Sequence, residues 1–175
     1  MRYFGSCAVI AVVFLFPVLS LSAQTAEELD RMLETPAVNA AQAARFVLGA
    51  ADLLPEYLFG GDAEDAAYTM AAERGWLRLG PGDTMRLKDA AFLVMGAFSL
   101  KGGIMYSIFR NPRYAYREMV YKKIIQGRGD PGFTLSGERL LHIIGRTLRY
   151  SGEDERLDAE MGGLNNPGIP GAFGR

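Results

Sequence analysis

Residues 121–145 read YKKIIQGRGDPGFTLSGERLLHIIG, and their order decides how the rest of the chain is read. The apolar pair Ile124-Ile125 closes a helical pattern that runs from Tyr114 to Gln126, with Tyr116, Met119, Val120, Lys123 and Ile124 on one face. Gly127 ends it, because glycine enters the left-handed conformation that terminates helices at little cost. GRGDPG is a turn by composition. Leu135-Ser136 then opens a second helix to Tyr150. Ser136 suits an N-cap, and Leu140, Leu141, Ile144 and Leu148 form an apolar stripe. The unit is helix, apolar pair, glycine turn, helix.

The same outline recurs upstream. Glu73-Arg74-Gly75-Trp76-Leu77 stands to the middle of the chain as Tyr121–Ile125 stands to its end, and is followed by its own glycine-and-acid turn, LGPGD. Second helices are expected to open at Val38-Asn39, Leu87-Lys88 and Leu135-Ser136, with Lys88 a poor N-cap. The step from Leu87 to Leu135 equals that from Glu73 to Tyr121, and the step from Val38 to Leu87 is one position longer. A fixed period of helical hairpins implies units that bury their apolar faces against one another. Further helices are predicted over 24–34, 38–54 and from about Glu64 to Arg74. Leu87 to Leu100 reads as a buried central helix. Residues 104–109 (IMYSIF) read as an apolar connection that, if exposed, would form a docking surface for another envelope protein. Asn111-Pro112 is expected to break the chain. The predicted fold is all-α: two to three helix-loop-helix repeats over residues 24–150, packed as a small helical bundle.

In this order Ile124-Ile125, Gly127, Asp130, Gly132-Phe133 and Leu135-Ser136 resemble the S-layer homology repeat. That repeat ends one helix on an apolar pair, turns on glycine and aspartate, and opens the next helix on an Ile-Thr-Arg-Ala-Glu motif. Residues 73–96 are similar to it more distantly, and 38–50 only in the second helix. The resemblance implies a non-catalytic module that binds or scaffolds in the cell envelope, with cell-wall polysaccharide or another envelope protein as partner. The motif's arginine falls on Ala40, Asp89 and Gly137 here, and its glutamate on Gln42, Ala91 and Arg139. The likeness therefore bears on architecture and location more than on the ligand.

The N-terminus agrees with that location. Arg2 is the only charge before Glu27, Ala8 to Leu21 is almost wholly apolar, and Ser20 to Ala23 offers small residues. This is the order of a secretory signal peptide, with cleavage expected after Ala23. The apolar run falls short of the ~20 residues that span a bilayer, so no stable transmembrane segment is expected after cleavage. Cys7 leaves with residues 1–23. The expected location is the periplasmic or extracellular side of a bacterial envelope. Residues 151–175, charged and then rich in glycine and proline, read as a flexible tail.

Composition narrows the chemistry. The 175 residues hold one Cys and one His, which excludes an internal disulfide and any multi-Cys or multi-His metal centre. No cofactor is expected. A net charge of −1 speaks against a nucleic-acid partner. His142, between Leu141 and Ile143, reads as a packed or boundary histidine. Asp62, Glu64 and Asp65 cluster near a loop. Paired carboxylates hydrolyse glycosides, so the alternative is a small periplasmic glycan hydrolase, though no catalytic motif is present. The candidate ligand-binding residues are Arg113, Tyr114, Tyr116 and Arg117, within the basic and aromatic stretch FRNPRYAYREMVYKK of 109–123. Guanidinium groups read carboxylate or phosphate through a fork, and tyrosine rings offer flat faces to sugars.

Overall fold

A computed structural model describes residues 26–55, 60–127 and 129–164, the side chains of 60, 61 and 153–164 excepted. The signal-peptide reading of 1–23 and residues 165–175 of the expected tail lie outside them. The fold is all-α. Helix α1 covers 26–34, followed by α2 (Ala40–Ala50), α3 (Gly60–Glu73), α4 (Leu87–Ala97), α5 (Ile104–Ile108), α6 (Pro112–Tyr121) and α7 (Gly137–Leu164). Among the described residues no strand forms, and only two isolated bridges do, Asn39 with Thr84 and Arg86 with Thr134.

Those bridges belong to a hub that organises the molecule. Val38, Met85 and Leu135 each precede a second helix and are wholly buried. Their backbones form a closed ring. Val38 N–H donates to the Leu135 carbonyl at 2.9 Å, Leu135 N–H to that of Met85 at 3.0 Å, and Met85 N–H to that of Val38 at 2.9 Å. A second ring surrounds the first. Ala40, Leu87 and Gly137, the first residues of α2, α4 and α7, donate to the carbonyls of Asp83, Phe133 and Thr35 at 2.9–3.0 Å. The first turn of a helix has N–H groups without intrahelical partners. Here each second helix satisfies one on the loop of another unit, so the three units lock cyclically about a pseudo-threefold axis.

The ring corrects the expected register. The residues equivalent to Val38-Asn39 and Leu135-Ser136 are Met85-Arg86, two positions before Leu87-Lys88. Lys88 is therefore no N-cap. That place belongs to Arg86, whose side chain makes no capping bond. Asn39 does cap, accepting from Gln42 N–H at 2.8 Å while the Gln42 side chain accepts from Asn39 N–H at 3.2 Å.

Helix ends follow backbone chemistry that the apolar periodicity does not carry. At Asp52, Gly75, Ser99 and Lys123 the backbone is left-handed, and each is a Schellman stop. The next residue, Leu53, Trp76, Leu100 or Ile124, donates back across the last turn at 2.9–3.0 Å. Thus α6 ends at Tyr121, before the predicted Gln126, because Lys123 turns left-handed at φ 58°. It also begins earlier than Tyr114. Asn111-Pro112 starts the helix where a break was expected: Asn111 Oδ1 accepts from the N–H groups of Arg113 and Tyr114 at 3.0 and 3.1 Å, and proline suits the first helical position. Helix α7 continues to Leu164, through residues assigned to the flexible tail. The Ser151 hydroxyl satisfies the Thr147 carbonyl, and Gly152, Gly162 and Gly163 each cost the helix only about 1 kcal/mol.

Helices α2, α4 and α7 meet around the axis, α3 packs on α2, and α6 packs on α4. Each first helix thus rests on the second helix of the preceding unit. The same relation seats Met32 of α1 against Gly137 of α7. Helix α4 is buried on nearly every side, from Leu87 through Ala97. On α7 the buried side chains are Leu140, Ile143, Ile144 and Thr147, while Leu148, placed in the stripe from sequence, is exposed.

Candidate binding grooves

The segment that follows α3 meets the C-terminal end of α4 and leaves a cavity of about 370 Å³. Two Schellman stops, at Gly75 and Ser99, shape its rim. Trp76 follows the first stop and lies against Gly96 so closely that a Cβ there would stand 2.5 Å from the indole. Only glycine at 96 lets the ring take this place. Phe92 and Tyr106 complete the aromatic lining, edge to face with centroids 6.4 Å apart. Burial raises the Tyr106 hydroxyl's pKa, opposed by nearby Arg110.

Three guanidinium groups enter this cavity. Arg74 stacks over Trp76 at 4.9 Å and Arg78 over Phe92 at 5.7 Å; Arg110 arrives from the segment after α5. Among the described residues no carboxylate lines it. Stacking on a ring fixes the plane of a guanidinium while leaving its N–H edge able to bind an anion. The arrangement suits a ligand with a flat apolar face and a carboxylate or phosphate.

A shallower groove occupies the corresponding place in the next unit. Lys122, Ile124 and Gln126 take the places of Arg74, Trp76 and Arg78, and Arg146, Arg149 and Tyr150 those of Gly96, Ser99 and Leu100. This second groove measures about 220 Å³ and is again basic. Lys122 lies 4.5 Å from the Tyr150 ring centroid and donates to its hydroxyl at 2.6 Å.

The four candidate residues of α6 sort differently. Arg113 and Arg117 are exposed, one turn apart on the same face. Tyr114 stacks on Phe109 with centroids 6.0 Å apart. The Tyr116 hydroxyl donates to the Gly129 carbonyl and so pins the glycine turn to α6. None of the four lines the larger groove, which takes only Arg110 from the basic stretch. Sequence reasoning missed Arg74 and Arg78 as binding residues. The available signal was RGWLR at 74–78, two arginines flanking the only tryptophan.

The acids also separate. Asp62 and Asp65 are exposed, whereas Glu64 is half-buried in a cleft of about 270 Å³ with Glu28 and Arg45. Desolvation raises the Glu64 pKa, opposed by Arg45 and aided by Asp65 and Glu28. Glu28 accepts from Arg45 at 2.5 Å. A wider cleft of about 540 Å³ between α1, α2 and α7 is largely apolar, lined by Leu29, Phe46, Leu54, Leu141 and Ile144. His142 is exposed on α7, which corrects the packed reading of its apolar neighbours: Leu141 and Ile143 turn inward at helical angles that carry His142 out. Among the described residues no three His, Cys, Asp or Glu side chains converge as a metal would need. No family model matches this chain, and no curated protein or solved structure matches it.

Proposed function

We propose that this chain is a non-catalytic binding module on the periplasmic or extracellular side of a bacterial cell envelope. Its ligand is an acidic cell-wall polysaccharide, held in the Arg74–Arg78–Arg110 groove. The observation that carries the reading is the convergence of Arg74 and Arg78 over aromatic rings, with Arg110 beside them and no carboxylate among the described residues that line the cavity. A sugar ring lies on the Trp76 and Phe92 side, and its carboxylate or phosphate takes the arginine forks. The signal-like N-terminus and the likeness to S-layer homology repeats support the location. The alternative, a small glycan hydrolase, rests on the acids Asp62, Glu64 and Asp65, of which only Glu64 is half-buried, in a cleft with Glu28. It is less well supported because Arg45 already engages Glu28 and the cleft is small for a glycan.

Retention on purified sacculi tests the reading. Arg74→Ala with Arg78→Ala is expected to weaken retention about a hundredfold, two charge-assisted bonds at roughly 1.5 kcal/mol each. Arg113→Ala with Arg117→Ala measures what the exposed face of α6 adds. Wild-type protein that is not retained, or an Arg74/Arg78 variant retained like wild type, refutes the groove.

A further inference from the structure

Between Lys101 and Tyr121 the chain turns large apolar side chains outward. Ile104 is 79% exposed, Ile108 65%, Met105 55% and Phe109 54%. Helical geometry puts these four on one side of α5. Tyr106, on the other side, is buried against Phe92, so the short helix is anchored in the core and presents its apolar face on a fixed base. The Ser107 hydroxyl donates to the Gly103 carbonyl at 3.2 Å and closes its first turn.

Helix α6 runs antiparallel beside it. Phe109 at the end of α5 stacks on Tyr114, and Glu118 reaches Gly103 at the start of α5, its Oε1 2.7 Å from where a Cβ would stand. Arg113 and Arg117 are exposed on α6, the helix that packs beside α5, and Lys101 and Arg110 flank α5 in the sequence. Across residues 98–127 Glu118 is the sole acid, against Lys101, Arg110, Arg113, Arg117, Lys122 and Lys123.

We propose that this face docks on a lipid bilayer rich in anionic headgroups. Ile104, Met105, Ile108 and Phe109 enter the boundary between headgroups and acyl chains, and Arg113 and Arg117 pair with lipid phosphates. Charge complementarity selects this occupant. A protein groove would cover the aliphatic side chains, but the cationic border around them matches an acidic membrane surface, which supplies both partners at once. No helix among the described residues is long and apolar enough to cross a membrane, so this attachment is peripheral. The proposal does not depend on the glycan groove.

The apolar run at 8–21 would bind vesicles by itself, so the test needs a local readout on the full chain. Hydrogen exchange of peptides covering 103–110 is measured with phosphatidylcholine vesicles and with vesicles carrying about a third phosphatidylglycerol. Exchange there is expected to slow several-fold on the anionic vesicles only, and the effect to fade in high salt. Ile104→Asp with Ile108→Asp, folded by circular dichroism, is expected to lose the protection. Arg113→Gln with Arg117→Gln is expected to weaken it roughly tenfold in lipid concentration. Unchanged exchange on both vesicles overturns the proposal, as does equal protection on neutral vesicles. Protection that appears without lipid as protein concentration rises also overturns it, because a second copy then covers the face.

Discussion

Replacing Gly137 with alanine tests the hub directly. Gly137 opens α7, and its N–H donates to the Thr35 carbonyl at 2.9 Å in the outer ring. A Cβ on Gly137 would stand 1.7 Å from the Met32 carbonyl oxygen. Real Cβ contacts essentially never fall below 3.0 Å, so the backbones of α1 and α7 must part by at least the difference between those two distances. That movement carries the Gly137–Thr35 bond beyond hydrogen-bonding range. Overpacking of this kind costs about 1–3 kcal/mol, and a buried bond lost without replacement costs about as much. The expected destabilisation is about 2–5 kcal/mol, a fall in Tm of roughly 5–15 °C for a chain of this length. Gly145→Ala is the control. It lies on the same helix, is exposed, and its Cβ would meet nothing within 4 Å. It is expected to gain about 0.5–1 kcal/mol from helix propensity. Urea titrations followed by circular dichroism compare both with wild type. A Gly137→Ala protein as stable as wild type, or two glycine variants that behave alike, would refute the locked-ring account.

Asn39→Ala removes the side-chain half of the capping box and is expected to lower unfolding free energy by about 1 kcal/mol in urea. Lys123→Gly relieves a left-handed backbone that costs a non-glycine residue about 1 kcal/mol, so a higher Tm is expected. Tyr116→Phe frees the Gly129 carbonyl; about 1 kcal/mol of stability is lost while retention on sacculi stays at wild-type level, which separates a structural tyrosine from a binding one. Asp89, in the first turn of α4, has its pKa raised by desolvation, against the opposing charges of Lys88 and Arg86. The folded state therefore holds that proton more tightly than the unfolded chain. Stability falls as pH rises from the ordinary carboxylate value through the raised one. Asp89→Asn is expected to be more stable than wild type at neutral pH, with the gain fading in acid below that window.

Much of this architecture is legible in order and composition. The apolar pair, glycine turn and second helix of 121–145 predict a hairpin because helical periodicity and turn chemistry are local properties. The recurrence of that outline at a nearly constant step predicts that such hairpins stack. What failed was local in another way. Arg86 occupies an N-cap place that its side chain does not fill, so residue order alone places the opening of the middle unit two positions late. Asn111-Pro112 signals a helix start as readily as a break, and only the bonds from Arg113 and Tyr114 to Asn111 distinguish them. For the candidate site, the basic stretch of 109–123 was visible as charge. Arg74 and Arg78 flank Trp76 within one segment, but Phe92 and Arg110 come from others, and no single segment records that they meet.

Helical content, hairpin units, their approximate period and the signal-like start all follow from the order of residues, because neighbours along the chain set backbone preference and amphipathic period. The ring of Val38, Met85 and Leu135, the glycine at 137 against the Met32 carbonyl, the arginine groove and the outward face of α5 arise only on folding. Each depends on groups brought together from segments far apart in the chain, or on which side of a helix the core leaves uncovered. A residue's own neighbours carry no record of that until the whole chain has folded.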